Sequence, residues 1–190
     1  MSRPLAVILV LIIGSSFAYS LHEWKAHQND IVIQLAEIGN AIAFPYRLAK
    51  LYQEPPDTEL LIPVQGVRQS QIADTWGEAR QEGRTHEGTD IFAEQGTPVY
   101  AATPGYVLRA GTNRLGGNIV FTVGAGGVRY YYAHLDRIAD GIEFGAEVTH
   151  DTVLGYVGNT GNAESTAPHL HFGMYTDEGA QNPYPLLTGR

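Results

Sequence analysis

The stretch Pro168-His-Leu-His-Phe-Gly-Met-Tyr175 alternates polar and apolar side chains in the way that is typical of a β-strand. Successive side chains of a strand point to opposite faces, so His169 and His171 share one face, while Leu170 and Phe172 share the other and face the core. Two imidazoles on one face can address one site, because one can bind a metal while the other reaches the water or substrate beside it. The stretch therefore predicts a strand that carries a functional site.

A second stretch, Arg84-Thr-His-Glu-Gly-Thr-Asp-Ile91, places His86 and Asp90 four residues apart. On a helix this spacing would put both side chains on one face. However, Gly88 and Thr89, which lie between them, are poor helix formers. We therefore predict an extended segment in which positions 86, 88 and 90 share a face, Gly88 leaves room for a metal, and Glu87 faces away. This differs from the helical His-Glu-x-x-His arrangement, in which the glutamate is the general base.

A third stretch, Tyr132-Ala-His-Leu-Asp136, follows a tyrosine-rich run and adds His134. Together the three stretches supply two imidazoles and one carboxylate for a metal, with two imidazoles left over for chemistry. A zinc ion with three protein ligands keeps one coordination position open for water, which is what a hydrolase needs. His22, His27 and His150 have no such setting, and we predict that they lie on the surface.

Composition limits the fold and the class of partner. Glycine accounts for 22 of the 190 residues and recurs between short apolar runs, the pattern of an all-β domain with many turns. The absence of cysteine excludes disulfides, thiolate metal sites and a lipid-modified cysteine anchor. The net charge of −8, without any Lys/Arg cluster, argues against a nucleic acid as partner, because neutralising phosphates needs a basic surface.

The N-terminal part of the chain differs in texture from the rest. Residues 1–20 combine Arg3, the apolar run Leu5–Ile13 and small residues beyond it, so they are predicted to be either a cleaved signal peptide or a membrane anchor. In both cases the rest of the chain is exported to the cell envelope. Residues 21–59 are predicted to be a helical juxtamembrane or linker region, ended or kinked at Pro45 and stopped by Pro55-Pro56. This region could pack on the following domain, bind a partner helix or serve as a stalk, and we expect packing.

Residues 60–190 form the predicted β domain. Glycine-rich turns are expected at residues 111–117, 124–127 and 159–162. The polar loop from Thr160 to Pro168 could wall a substrate groove or simply connect two strands. The predicted strands are Asp90–Ala93, Pro98–Ala101, Gly105–Ala110, Asn118–Val123, Val128–Ala133, Val153–Val157 and His169–Tyr175.

With these motifs the chain resembles a known family, the lysostaphin/LytM-type zinc metallopeptidases. These enzymes have the duplicated hybrid motif fold and cut peptide cross-links in peptidoglycan. The resemblance spans Ile62 to Leu187, about two-thirds of the chain, with the motifs in the family's order. It implies a mainly β, compact antiparallel β-sandwich or barrel-like metallopeptidase domain. The matching stretches are Asp74–Arg80, Arg84–Ile91, Gly96–Ala101, Gly105–Val107, Gly116–Val120, Tyr132–Asp136, Val157–Gly161 and Pro168–Phe172.

Carried over residue by residue, the resemblance implies that His86, Asp90 and His171 bind one Zn²⁺ per chain. It implies that His134 and His169 are the catalytic histidines, and it leaves open which of them is the general base. Arg80, six residues before the first ligand, could orient substrate or stabilise an oxyanion, or it could form a salt bridge that holds the loop.

The resulting hypothesis is an envelope zinc endopeptidase whose partner is a peptidoglycan peptide, with possible membrane association through residues 1–20 and a regulatory protein partner. The alternative is a non-catalytic module with the same fold that activates other cell-wall hydrolases. Loss of metal ligands would favour this alternative. A third hypothesis keeps the chemistry and makes a secreted protein the substrate. For the bond itself, a glycine bridge and a direct cross-link stay open, with the direct cross-link favoured.

Overall fold

A computed structural model of the chain describes residues 39, 43–80 and 83–189. The predicted signal or anchor at residues 1–20 lies outside the described residues, as do His22 and His27. The chain divides into two units, Met1–Arg47 and Leu48–Arg190. Residues 43–53 are helical (α1) and include Pro45, so the helix does not end at this proline, and the predicted kink there stays a prediction. No helix among the described residues has the length and apolar character needed to cross a membrane.

The second unit is built on antiparallel strands. Its sheet runs in the order β1-β8-β5-β4-β3-β6, while β9 pairs with β8, and β7 pairs with both β5 and β2. The strands found in the described residues are β1 (Thr89–Phe92), β2 (Pro98–Tyr100), β3 (Gly105–Asn113), β4 (Gly117–Val123), β5 (Arg129–Ile138), β6 (Glu147–Val148), β7 (Val153–Val157), β8 (His169–Thr176) and β9 (Gly179–Gln181).

The predicted fold class, mainly β and antiparallel, is confirmed, and all seven predicted strands are present. Two of them continue three or more residues past their predicted ends. β3 continues through Gly111, which pairs with Ile119 instead of starting the turn. β5 continues past Ala133 to Ile138, and the short strands β6 and β9 were not predicted.

Strand β5 changes partners along its length, and this positions the site. Residues Arg129–Ala133 pair with β8, whereas Leu135–Ile138 pair with β7. Between these two parts lies His134, whose φ of 63° makes it the positive-φ non-glycine residue of the described chain. The strand therefore bends at His134. Its last pair with β8 is Ala133 with His171, so the bend lies directly beside His171.

The core lies beneath one face of β8 and β5. Leu170 and Phe172 are fully buried, as the alternation in β8 predicted. Tyr132 packs against Phe172 with ring centroids 5.2 Å apart, and its hydroxyl accepts a hydrogen bond from the Ala102 amide at 2.9 Å. The opposite face of the same strands is therefore left to carry polar side chains.

The two ends of the domain meet. The amide of Leu60 donates to the carbonyl of Leu186 at 3.0 Å, within the short helix α2 (Tyr184–Thr188), whose Leu187 is buried. Before residue 60, the Thr103 hydroxyl donates to Asp57 Oδ2 at 2.5 Å, and Tyr52 lies against Gly127. The end of α1 and the segment after it thus pack on the domain, whereas the packing expected for the earlier part of residues 21–59 stays a prediction.

Candidate active site

The three candidate metal ligands come from two paired strands and the segment before one of them. Asp90 on β1 lies directly opposite His171 on β8. His86 precedes β1, where its amide donates to the Glu78 carbonyl at 2.8 Å and its carbonyl accepts from the Gly77 amide at 2.9 Å. These bonds hold the segment in an extended form, so His86 and Asp90 reach one place without a helix.

One atom from each of these side chains stands at the corner of a nearly equilateral triangle. His86 Nε2 lies 2.9 Å from His171 Nδ1, and Asp90 Oδ1 lies 3.1 Å from each of the two nitrogen atoms. Ligand atoms of a tetrahedral zinc ion, with bonds of about 2.0–2.1 Å, stand roughly 3.3 Å apart. The spacing of the three atoms therefore fits a single zinc ion.

The protonation state of His86 supports the same interpretation. Its Nδ1 lies 2.7 Å from the carbonyl oxygen of Thr75, which can only accept, so Nδ1 carries the proton. In the neutral ring Nε2 then presents an electron pair, and it faces another electron pair on Asp90 Oδ1 at 3.1 Å. A cation held between these atoms removes that repulsion, and the bond to the carbonyl fixes the ring for metal binding.

Gly88 makes room for His171 rather than for the metal itself. A Cβ added at Gly88 would lie 2.6 Å from Cε1 and 2.9 Å from Nε2 of His171, and 2.7 Å from the carbonyl oxygen of Phe172. The prediction that Gly88 provides space is correct in direction, but the space is filled by a ligand's ring. Glu87 is exposed, and its carboxylate is not among the three candidate ligands.

Arg80 binds the carboxylate of Asp90. Its Nη2 donates to Asp90 Oδ2 at 2.6 Å, the oxygen that does not face the two histidines. Arg80 is held there by its own amide, which donates to the Arg84 carbonyl at 2.8 Å. Of the two roles considered from the sequence, this geometry supports the salt bridge. The hydroxyl of Thr75 accepts from the Asp90 amide at 3.2 Å and adds a further hold on the ligand.

His134 and His169 are oriented in the same way as each other. His134 Nδ1 donates to the Thr160 carbonyl at 2.9 Å, and His169 Nδ1 donates to the Ala167 carbonyl at 2.8 Å. In both rings Nε2 is thereby the atom that can accept a proton. The ring centroids are 5.1 Å apart, and His169 Nε2 lies 4.0 Å from Asp90 Oδ1. Both imidazoles therefore stand beside the ligand triangle.

Electrostatics favour neutral rings at His134 and His171 and an ionised Asp90. Burial lowers the pKa of His134 to about 4, the Thr160 carbonyl opposes this shift, and the nearby His171 and His169 support it. Burial also lowers the pKa of His171. For Asp90 burial acts in the opposite direction, but the close approach of the His171 and His86 rings to its carboxylate holds its pKa well below the usual range. At neutral pH the site thus offers a neutral ring at His171 and one anionic oxygen at Asp90.

The left-handed backbone of His134 is stabilised from a neighbouring hairpin. The His134 amide donates to the carbonyl of Gly116, in the turn between β3 and β4, at 2.7 Å. Next to it, Asn118 Nδ2 donates to the carbonyls of Leu135 and Asp136 at 3.0 and 2.8 Å. Asn118 therefore holds the backbone that follows His134. Positive φ in a non-glycine residue costs free energy and is concentrated at functional sites.

The five side chains line one cleft of about 640 Å³. The loop between β7 and β8 forms one wall with Asn162, Ala163 and Thr166, which supports the groove interpretation of residues 160–168. Tyr131 and Tyr175 also line the cleft, although neither was a candidate site residue from the sequence. Their spacing along the strands places them on the face of His171, a signal that the sequence analysis did not use.

His150 is exposed and takes no part in the site, as predicted. Thr75 was missed by sequence reasoning, because neither its type nor its spacing connects it with His86 or Asp90. Its contact depends on residues 75–78 running beside the segment that carries His86.

Comparisons with known proteins agree with this geometry. An L-Ala–D-Glu endopeptidase of Bacillus subtilis is 43% identical over 124 residues, which are 60% of this chain and 38% of that protein. The peptidoglycan DD-endopeptidase ShyC of Vibrio cholerae is 33% identical over 100 residues, which are 53% of this chain and 22% of that protein. The chain thus spans well under half the length of these curated relatives.

Solved structures show the same fold. The catalytic domain of the antimicrobial peptidase lysostaphin from Staphylococcus simulans matches with a TM-score of 0.54 and 32% identity, over 60% of this chain and 89% of that one. A zinc-containing peptidase from Vibrio cholerae matches with a TM-score of 0.53 and 28% identity, over 63% of this chain and 37% of that one. The model of peptidase family M23 matches residues 84–183, more than half of the chain, and includes all five site residues. The chain therefore belongs to peptidase family M23.

Proposed function

We propose that this chain is a zinc-dependent endopeptidase that hydrolyses peptide cross-links of bacterial peptidoglycan. The single observation that carries the proposal is the triangle of His86, Asp90 and His171 atoms at 2.9–3.1 Å, beside two imidazoles in one cleft. Membership of peptidase family M23 supports the reaction class, and the names of the relatives from Bacillus subtilis and Vibrio cholerae support the substrate.

We assign the metal to His86 Nε2, Asp90 Oδ1 and His171 Nδ1. Zinc bound there would lower the pKa of a coordinated water towards about 7 and polarise the scissile carbonyl. Thr75 and Arg80 act on the ligands, because the first fixes the tautomer of His86 and the second holds the outer oxygen of Asp90.

The proton transfers are assigned to Nε2 of His169 and His134. Each ring is held by a backbone carbonyl at Nδ1, so each Nε2 can take a proton from an attacking water and return it to the leaving amine. His169 is favoured as the general base, because its Nε2 lies 4.0 Å from a ligand atom, Asp90 Oδ1. After accepting a proton, either imidazolium could also donate to the oxyanion.

The direct D-alanyl–diaminopimelyl cross-link is our proposal for the bond that is cut. It is supported by the relative named as a DD-endopeptidase, whereas the relative named for the L-Ala–D-Glu bond shows that the bond varies among similar proteins. We also infer that the chain acts outside the cytoplasm, since such a substrate lies there and residues 1–20 read as a signal peptide or anchor. Membrane association and a regulatory partner stay predictions.

The proposal is tested by digesting purified peptidoglycan with the 190-residue chain loaded with one equivalent of zinc. Released fragments are identified by mass spectrometry, with and without a zinc chelator. We expect cross-linked fragments to disappear. The chelator should prevent this cleavage and added zinc should restore it. The new peptide termini of the released fragments identify the bond that is cut.

Two variants serve as matched controls for this digestion. His171→Ala should bind no zinc and cut nothing, whereas the exposed His150→Ala should behave as the unaltered chain. A folded, zinc-loaded chain that cuts no peptidoglycan, yet stimulates another wall hydrolase, would contradict the proposal and favour the activator hypothesis.

A further inference from the structure

The middle residue of the tyrosine run differs from its neighbours. Tyr130 and Tyr132 are buried in the core, whereas Tyr131 is half-buried and lines the cleft. Its ring stands edge-on to His171 with centroids 6.0 Å apart and packs on Phe121 at 4.6 Å. The position of the ring is therefore fixed on one side by the sheet and on the other by a metal-ligand candidate.

The hydroxyl of Tyr131 is contacted by an asparagine whose orientation is locked. Asn113 Oδ1 accepts from the amides of Leu115 and Gly116 at 3.0 and 2.6 Å, which closes the turn between β3 and β4. Because the oxygen is committed to the turn, the amide nitrogen must face the other way. There Asn113 Nδ2 donates to the Tyr131 hydroxyl oxygen at 3.1 Å.

This bond determines the direction of the tyrosine proton. An amide nitrogen can only donate, so the Tyr131 oxygen is the acceptor and its own proton must point elsewhere. Among the described residues the hydroxyl donates to no partner, and the space that remains beside it is the cleft.

The same turn also holds His134. The Gly116 carbonyl accepts from the His134 amide at 2.7 Å, and a Cβ added at Gly116 would lie 2.0 Å from the Tyr131 hydroxyl. One rigid turn thus sets the position of the Tyr131 hydroxyl relative to His134. A donor held in this way recognises an acceptor on a bound molecule better than a mobile one, because little conformational entropy is lost.

We infer that Tyr131 is a substrate-binding residue whose hydroxyl donates a hydrogen bond to a carbonyl oxygen of the bound peptide, and that Asn113 is the positioning residue that aims it. The inference rests on the proposed function for the identity of the peptide. The Tyr131 oxygen already accepts from Asn113, so the hydroxyl offers the cleft only a proton to donate. A carbonyl oxygen, which can only accept, fits this better than a hydroxyl or an amine.

Two variants test the two roles separately. Tyr131→Phe removes the hydroxyl and keeps the ring on Phe121. Asn113→Asp keeps an oxygen for the turn but replaces the donor by an acceptor, so the Tyr131 proton should turn away from the cleft. Tyr156→Phe is the control, because Tyr156 lies outside the cleft with its ring 3.6 Å from the Arg137 guanidinium carbon.

The readouts are the KM and kcat of zinc-loaded chains on a soluble cross-linked muropeptide, and the Kd of that fragment for zinc-loaded His169→Ala protein carrying the same substitutions. We expect Tyr131→Phe and Asn113→Asp each to raise KM and Kd by about 5–10-fold, the usual effect of one neutral hydrogen bond. The value of kcat should change by less than about threefold. In the double variant the effects should not add, because both act on one proton.

Unchanged KM and Kd in Tyr131→Phe, in a preparation whose unaltered chain cleaves the fragment, would overturn the inference and leave the proposed function intact. Failure of the unaltered chain to cleave would refute the proposed function, and the Kd comparison would then decide the inference by itself. If the fragment does not bind at all, both are overturned. Additive effects in the double variant would remove Asn113 from its positioning role.

Discussion

Replacing Gly88 with alanine should separate the metal ligands without removing any of them. The new Cβ would lie 2.6 Å from His171 Cε1 and 2.7 Å from the Phe172 carbonyl oxygen, whereas ordinary contacts begin at 3.4 Å. The carbonyl belongs to β8, which is paired on both sides with β1 and β5 and cannot retreat. The segment from His86 to Asp90 must therefore move away by roughly 0.5–1 Å, as substitutions of this kind force in well-packed regions.

A shift of this size is large compared with what a zinc site tolerates, since bond lengths in such sites hold within about 0.2 Å. We expect zinc affinity to fall by roughly 10–100-fold, as when the support of a ligand is lost. We expect stability without metal to fall by about 1–3 kcal/mol, as for other overpacked positions. If the metal-free variant is still folded, its lower stability would hardly change the zinc affinity. A 10–100-fold loss of affinity would therefore come from the displaced ligands.

The assay is a titration of zinc against a chromophoric chelator, paired with urea unfolding of the metal-free chain. Gly39→Ala is the control, because Gly39 is helical and exposed, and a Cβ there would meet nothing within 4 Å. A folded Gly88→Ala chain whose zinc affinity stays within about twofold of the unaltered chain would refute the steric reasoning, since the overpacking would then have been absorbed elsewhere.

Three further substitutions separate binding from chemistry. His171→Ala should reduce bound zinc to background in metal analysis, with His150→Ala unchanged, and full zinc occupancy would remove His171 from the ligands. His134→Ala should keep zinc but lower turnover by roughly 10²-fold or more, the scale of a general acid–base group, and near-normal turnover would exclude it. Arg80→Gln should weaken zinc binding by roughly 10-fold through Asp90. A fall in turnover with unaltered zinc affinity would instead indicate that Arg80 acts on substrate.

The parts of the fold that the sequence predicted are those in which local pattern and tertiary structure agree. Strand β8 alternates strictly, and Leu170 and Phe172 are buried as that alternation requires. The failures lie where a long-range contact overrides a local signal. Gly111 reads as the start of a turn, but it sits inside β3 because Ile119 of β4 pairs with it. The end of β5 was missed because the strand continues only after bending at His134 and changing its partner.

The candidate site divides in the same way. His86, Asp90, His134, His169 and His171 could be named from residue type and motif, because imidazoles and a carboxylate in these settings have few other uses. The side chains that orient them depend on which segments lie side by side, and no spacing shows this. A polar residue of a loop comes to orient a ligand only when folding brings its segment beside that ligand.

The separation of the ligands along the chain has a consequence for biosynthesis. His171 follows His86 by 85 residues and Asp90 by 81 residues, and it meets them only when β8 has paired with β1. Contacts between such distant residues form late, because a long loop must close first. A chain that is still emerging from the ribosome or crossing a membrane carries two ligands and lacks the third. Hydrolytic competence, on our proposal, is therefore withheld until the chain has been delivered past His171 and β8 can pair with β1.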